Sequence, residues 1–211
     1  AATDPILMTI IARGLQSAAE EMALNLIRSA FSTVVREARD CSTALLDAQG
    51  RLIAQAELQP MQTAGLSMSF AACAEQLDLS QVTPGHALIL NDPYSGGMHL
   101  PDIFMFYPIF EGGEVLAWSV VICHHTDVGG RVPGSNAADS TEIFQEGLRI
   151  PPLKLFHGGV MDETLEAMIG LNVRVPDRVL GDLRAQYAAC QVGAREIGRL
   201  VQRYGGQTMR G

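Results

Sequence analysis

The segment Asn91 to Gly130 reads NDPYSGGMHLPDIFMFYPIFEGGEVLAWSVVICHHTDVGG. Its middle is a hairpin pattern. Ile103 to Phe110 is rich in β-branched and aromatic residues, and Val115 to Cys123 is a second such run. Glu111-Gly112-Gly113-Glu114 between them is a tight-turn signal. With Gly112 and Gly113 at the turn, facing residue numbers sum to about 225, within one residue of register. Asp102 then lies across from Cys123 or His124. Facing side chains on one side of such a ladder are roughly 5 Å apart at Cβ, so the hairpin brings the HLPD and HHTD ends together.

The segment holds three of the five histidines, His99, His124 and His125, with Asp92, Asp102 and Asp127. Imidazoles and a carboxylate on neighbouring strand ends suit a divalent ion. The expected ligands are His99, Asp102 and His124. Adjacent residues of a strand point to opposite faces, so His125 is a ligand only if the register slips by one. Asp92, and equally Asp127, is then a partner that orients an imidazole or a fourth ligand. Two histidines and one carboxylate suit zinc, manganese or iron(II), with positions left for water or substrate. Two other readings stand beside this one: a closed structural metal site stapling the hairpin, and an internal hydrogen-bond network without metal.

Outward from the hairpin, Asp4-Pro5 starts a helix whose apolar stripe runs to Val34 and whose end is expected between Arg36 and Asp40. Ser42–Asp47 and Arg51–Gln55 read as short strands, Gln62–Leu77 as a helix, and Ala87–Leu90 as a strand. Arg36, Arg39 and Asp40 form a charged junction, read either as an anion contact made by Arg39 or as a surface ion pair. Ser140-Thr141-Glu142 opens a short segment in which a helix would put Glu142 and Glu146 on one face. One of them is a candidate general acid/base; a solvated face is the other reading. Asp127 joins them as a catalytic candidate. Arg149 and Lys154 are candidate anion contacts. Met161–Ile169 reads as a helix. The final helix spans about Asp177–Tyr204, with an apolar seam for a second helix, and Gln207–Gly211 reads as a loose tail.

The chain has 211 residues, 47% of them hydrophobic, and a formal net charge of -8. That composition suits one globular domain over 1–211. The acidic balance and the lack of a basic run argue against nucleic acid. No apolar stretch is of membrane-spanning length and no signal peptide is evident. The four cysteines are scattered without a CxxC pair, which fits reduced thiols in the cytoplasm. The expected fold is α+β: a mixed or antiparallel sheet around the central hairpin, flanked by long N- and C-terminal helices.

NDPYSGGMHLPD, HHTDVGG and STEIFQEGLRIPP, in this order, resemble the hydantoinase B/oxoprolinase family. The resemblance runs from about Asp4 to the end and covers the N-terminal part of longer family chains. It implies a subunit of an ATP-dependent hydrolase of cyclic amides (hydantoins, 5-oxoproline or lactams), working with a hydantoinase A-type subunit that handles ATP. The related acetone and acetophenone carboxylases make ketone carboxylation the alternative, and metal-containing relatives point to the same three ligands. The glycine-rich run Pro93–Gly97 lacks the GxxxxGKS/T ending of a P-loop, in keeping with ATP on a partner subunit and a small-molecule substrate here.

Overall fold

A computed structural model describes residues 4–210. Seven strands form one antiparallel sheet in the order β2-β1-β5-β4-β3-β6-β7. They are β1 (Cys41–Asp47), β2 (Leu52–Gln55), β3 (Ala87–Leu90), β4 (Asp102–Glu111), β5 (Glu114–His124), β6 (Leu153–His157) and β7 (Val160–Met161). The helices are α1 (Pro5–Ser29), α2 (Thr33–Arg36), α3 (Pro60–Thr63), α4 (Leu66–Gln76), α5 (Glu163–Asn172), α6 (Pro176–Tyr204) and α7 (Gly206–Arg210). This is the expected α+β class, and the sheet is antiparallel throughout.

The β4–β5 hairpin is the centre of the sheet. Gly112 and Gly113 both have positive φ, 62° and 86°, as a two-residue turn matching the strand twist requires. Pairs near the turn sum to 225 (Glu111 with Glu114), and beyond an irregularity at Ile109/Phe110 they sum to 226. That extra residue settles the register, so Asp102 faces His124.

Both faces of the sheet are covered, which is why its strands read as nearly continuous apolar runs. Ile103, Met105, Val121 and Cys123 join one core with Met22 and Leu26 of α1 and Leu183 and Cys190 of α6. Their even-numbered neighbours Phe104, Phe106, Trp118, Val120 and Ile122 join Leu66, Phe70 and Cys73 of α4 on the other side. The alternation is the period of two of a pleated strand. The seam on α6 is taken up within the chain, by α1 and the hairpin. Gly193 lies at the closest point: a Cβ there would come within 2.5 Å of Met22 Sδ and 2.6 Å of Ser119 Oγ. Gly193→Val is therefore expected to destabilise by about 1–3 kcal/mol through overpacking, measured as a lowered urea midpoint.

Four expectations about the elements are corrected. The first helix stops at Ser29 instead of running to Arg36–Asp40. The carboxylate of Asp182, buried on α6, accepts hydrogen bonds from the backbone N–H groups of Phe31 (2.6 Å) and Ser32 (3.2 Å), which turns the chain. Ser32 then caps α2. The helix expected over Gln62–Leu77 is divided at Gly65 into α3 and α4. Met161 belongs to β7, and α5 begins at Glu163 with Asp162 as its N-cap. The tail forms α7, whose Arg210 donates to the Glu111 carbonyl at 3.1 Å; Gly211 lies outside the described residues.

Candidate metal and substrate site

Asp102 opens β4 and His124 closes β5, both on the α4 side of the sheet. His99 precedes them in a turn closed by the Asp102 N–H to the His99 carbonyl, 3.0 Å. The loop that carries His99 is anchored by buried Asn91. Its side chain donates to the Leu100 carbonyl (2.7 Å) and the Leu148 carbonyl (2.9 Å) and accepts from the Ile150 N–H (2.6 Å).

The three side chains converge. His99 Nδ1 lies 3.0 Å from Asp102 Oδ2, and His124 Nδ1 lies 3.4 Å from Asp102 Oδ1. One donor atom from each residue can be chosen so that all lie within 4.8 Å of one another. The imidazole centroids are 5.0 Å apart. Metal–ligand bonds of about 2.1 Å place neighbouring ligand atoms about 3.0–3.4 Å apart at angles between 90° and tetrahedral, and both imidazole–carboxylate distances fall in that range. His99 and His124 are partly exposed, while Asp102 is buried.

Two groups that the sequence did not assign to this cluster belong to it. Asp40 Oδ2 is 3.7 Å from His124 Nδ1, and the His124 N–H donates to the Asp40 carbonyl at 3.0 Å. Asp40 was legible as part of a charged junction, but its partner only appears once β1 lies beside β5. Gln62, on α3, donates from Nε2 to Asp40 Oδ1 (2.9 Å) and Asp102 Oδ1 (3.4 Å). No sequence signal marks it, because a glutamine in a short helix has no spacing to a strand end. Asp40, Gln62, Met98, His99, Asp102, His124 and Asn136 line a cleft of about 490 Å³, of a size for a small molecule.

The electrostatics follow the geometry. The hydrogen bond to Asp102 pushes the His99 pKa up; burial opposes this, and the charges of Asp102, Asp40 and Glu146 add to the rise. Burial pushes the Asp102 pKa up, but the hydrogen bonds and charges of His124 and His99 outweigh it and leave it below the ordinary carboxylate value. Cys123 and Cys41, paired across β5 and β1, face the α1/α6 core. Burial pushes the Cys41 thiol up to about 12 and the Cys123 thiol well up, so neither is a ready thiolate.

The other sequence candidates lie elsewhere. His125 points through the sheet to α6, fully buried, with Nε2 2.9 Å from Gln186 Oε1. Asp92 caps the Pro93–Ser95 turn by accepting from the Tyr94 N–H at 3.1 Å. Asp127 is a buried structural hub and not a free base. It accepts from the N–H groups of Gly129 (2.9 Å), Arg174 (3.0 Å) and Gly134 (3.0 Å) and from Arg174 Nη1 (3.0 Å). Glu142 and Glu146 do not share a helical face, because Ile143–Gln145 forms a single 3-10 turn. Glu142 is exposed and Glu146 half-buried, and only Glu146 contributes to the rise at His99. Arg39, at φ 54°, lines a separate groove with Glu20 and Leu24. Arg149 sits 5.8 Å and 5.9 Å from the ring centroids of exposed Tyr94 and Phe144.

Known proteins resemble this chain in sequence and fold. The hydantoinase B/oxoprolinase model matches residues 4–211. The caprolactamase subunit beta of Pseudomonas jessenii is 37% identical over 202 residues, covering 96% of this chain and 35% of that protein. The crystal structure of the ATP-dependent caprolactamase from Pseudomonas jessenii superposes with a TM-score of 0.92 at 36% identity, over 100% of this chain and 36% of that one. The nucleotide-free structure of an acetone carboxylase superposes with a TM-score of 0.90 at 21% identity, over 96% of this chain and 27% of that one, and shares the fold. The chain thus spans about a third of the length of the caprolactamase chains it matches. With nearly every residue matched, this chain belongs to the hydantoinase B/oxoprolinase family.

Proposed function

We propose that this chain provides the metal-bearing substrate site of an ATP-dependent enzyme that hydrolyses a cyclic amide, a hydantoin, 5-oxoproline or lactam. The observation that carries this is the meeting of His99, Asp102 and His124 donor atoms within 4.8 Å at one end of the central hairpin, on the wall of a cleft. Zinc, manganese or iron(II) suits two imidazoles and a carboxylate. When bound, such an ion supplies a Lewis acid for an amide carbonyl oxygen. Asp102 holds both imidazoles in place, and Asp40 and Asp102 keep the site electronegative. Of the two carboxylates singled out in the sequence, half-buried Glu146 is the one proposed to take the proton of the attacking water, in preference to exposed Glu142. Hydrolysis is preferred to ketone carboxylation because the relative named for lactam hydrolysis shares 37% of its aligned residues, whereas the likeness to acetone carboxylase concerns the fold.

ATP is assigned to an A-type partner subunit, since this chain has no GxxxxGKS/T segment. Among the described residues no helix is long and apolar enough to cross a membrane. Metal analysis of the purified protein should find close to one divalent ion per chain. Chelation should remove it, and affinity should weaken as pH falls because His99, with its raised pKa, then holds a proton that the ion must displace. The isolated chain should show no ATPase activity, with turnover appearing on addition of the partner. A metal-free preparation that stays fully active with its partner would overturn this reading.

A further inference from the structure

We infer that Gln62 is the positioning residue of this site: its carboxamide clamps Asp40 and Asp102 so that each turns an oxygen toward the imidazoles. This rests on the metal reading above. Gln62 is 5% exposed, on the cleft wall. A carboxylate only accepts hydrogen bonds, and only the NH2 end of a carboxamide donates. The two contacts, to Asp40 Oδ1 at 2.9 Å and Asp102 Oδ1 at 3.4 Å, therefore fix which way the amide faces. With Asp40 Oδ1 held by Gln62, Asp40 Oδ2 is the oxygen presented to His124 Nδ1, at 3.7 Å. On Asp102, Oδ1 is shared between Gln62 Nε2 and His124 Nδ1, each at 3.4 Å, and Oδ2 faces His99 at 3.0 Å.

A second observation agrees. Gln62 Oε1 is buried with no hydrogen-bond partner among the described residues. An unpaired buried acceptor is destabilising. The amide keeps that orientation because the reverse one would set its oxygen against two carboxylates. The residue type is also specific. Asparagine is one methylene too short to span both carboxylates, and glutamate matches the shape but has no N–H to donate. Gln62 thus separates two anions 62 residues apart in sequence, Asp40 and Asp102, without adding a third charge.

The test is metal binding by the wild-type protein, Gln62→Met and Gln62→Glu. Each is stripped with a chelator, titrated with zinc against a chromophoric competitor, and then loaded with cobalt(II) for its visible spectrum. Gln62→Met keeps length and packing but has no donor. It should bind zinc about 10- to 100-fold more weakly, with an altered cobalt spectrum and an unchanged far-UV signal. Gln62→Glu adds a charge that by itself attracts a cation, yet it should also bind more weakly because it repels the carboxylates it replaces a clamp for. Wild-type affinity in Gln62→Met, or tighter binding in Gln62→Glu, would overturn the positioning role while leaving the metal reading intact. No zinc or cobalt binding by the wild-type protein would overturn the metal reading itself and the role of Gln62 with it.

Discussion

His124→Ala is expected to lose its divalent ion. Replacing a residue that merely orients a metal ligand costs about 10- to 100-fold in affinity, so loss of a ligand should cost at least about 100-fold. The fold should survive. His124 sits at the end of β5, and its side chain is 17% exposed, outside the two cores that hold the sheet. The expected change in stability of the metal-free protein is within about 1 kcal/mol. Metal content by mass spectrometry and thermal unfolding by circular dichroism separate the two effects. His157→Ala, at the far edge strand with a side chain 48% exposed, is the control and should keep its metal. A His124→Ala protein that binds metal as tightly as wild type would show that the ion, if any, is held elsewhere. His125→Ala makes the contrast on the neighbouring residue. It removes a fully buried ring bonded to Gln186, so its effect should fall on stability before it reaches the metal.

Asp127→Asn should lower stability by about 2–4 kcal/mol while leaving the metal site loaded. The carboxylate accepts four hydrogen bonds and ties Gly129 and Gly134 to Arg174. An asparagine keeps one acceptor and turns a donor toward the guanidinium and N–H groups that the lost oxygen served. Breaking a buried charge pair by removing one partner costs about 3–5 kcal/mol, and the value here is reduced because Arg174 is 38% exposed and recovers water. Burial raises the Asp127 pKa, but the N–H donors of Arg174, Gly129 and Gly134 and the Arg174 guanidinium outweigh it and leave it below the ordinary value. The stabilisation is therefore fully present above the unfolded-state pKa of about 3.9, and it is lost as pH falls through the lower folded value. Urea unfolding of wild type should weaken from about pH 4 downward, and Asp127→Asn should flatten that limb. If Asp127 were a base or a metal partner instead, Asp127→Asn would lose activity or metal with stability unchanged.

The hairpin, its turn and the closeness of Asp102 to the HHTD end were readable from residue types alone, because a two-residue glycine turn and a period of two convert sequence distance into spatial pairing. The same alternation allowed only one of His124 and His125 as a ligand, since neighbouring strand residues face opposite ways, and left the choice to the register. The long helices at each end were legible from periodicity, and the family from three ordered motifs. The irregularity at Ile109/Phe110 was not legible, and it selects His124 over Cys123 as the residue facing Asp102. The break after Ser29 was also hidden, because its cause is Asp182, 150 residues from Ser32. Asp40 and Gln62 reach the site only through the pairing of β1 with β5 and the docking of α3, contacts that leave no periodic trace. Asp127, Glu142 and Arg39 have the right chemistry for a site. What decides between catalytic group, surface charge and structural hub is which backbone donors surround each carboxylate or guanidinium, and tertiary packing sets those.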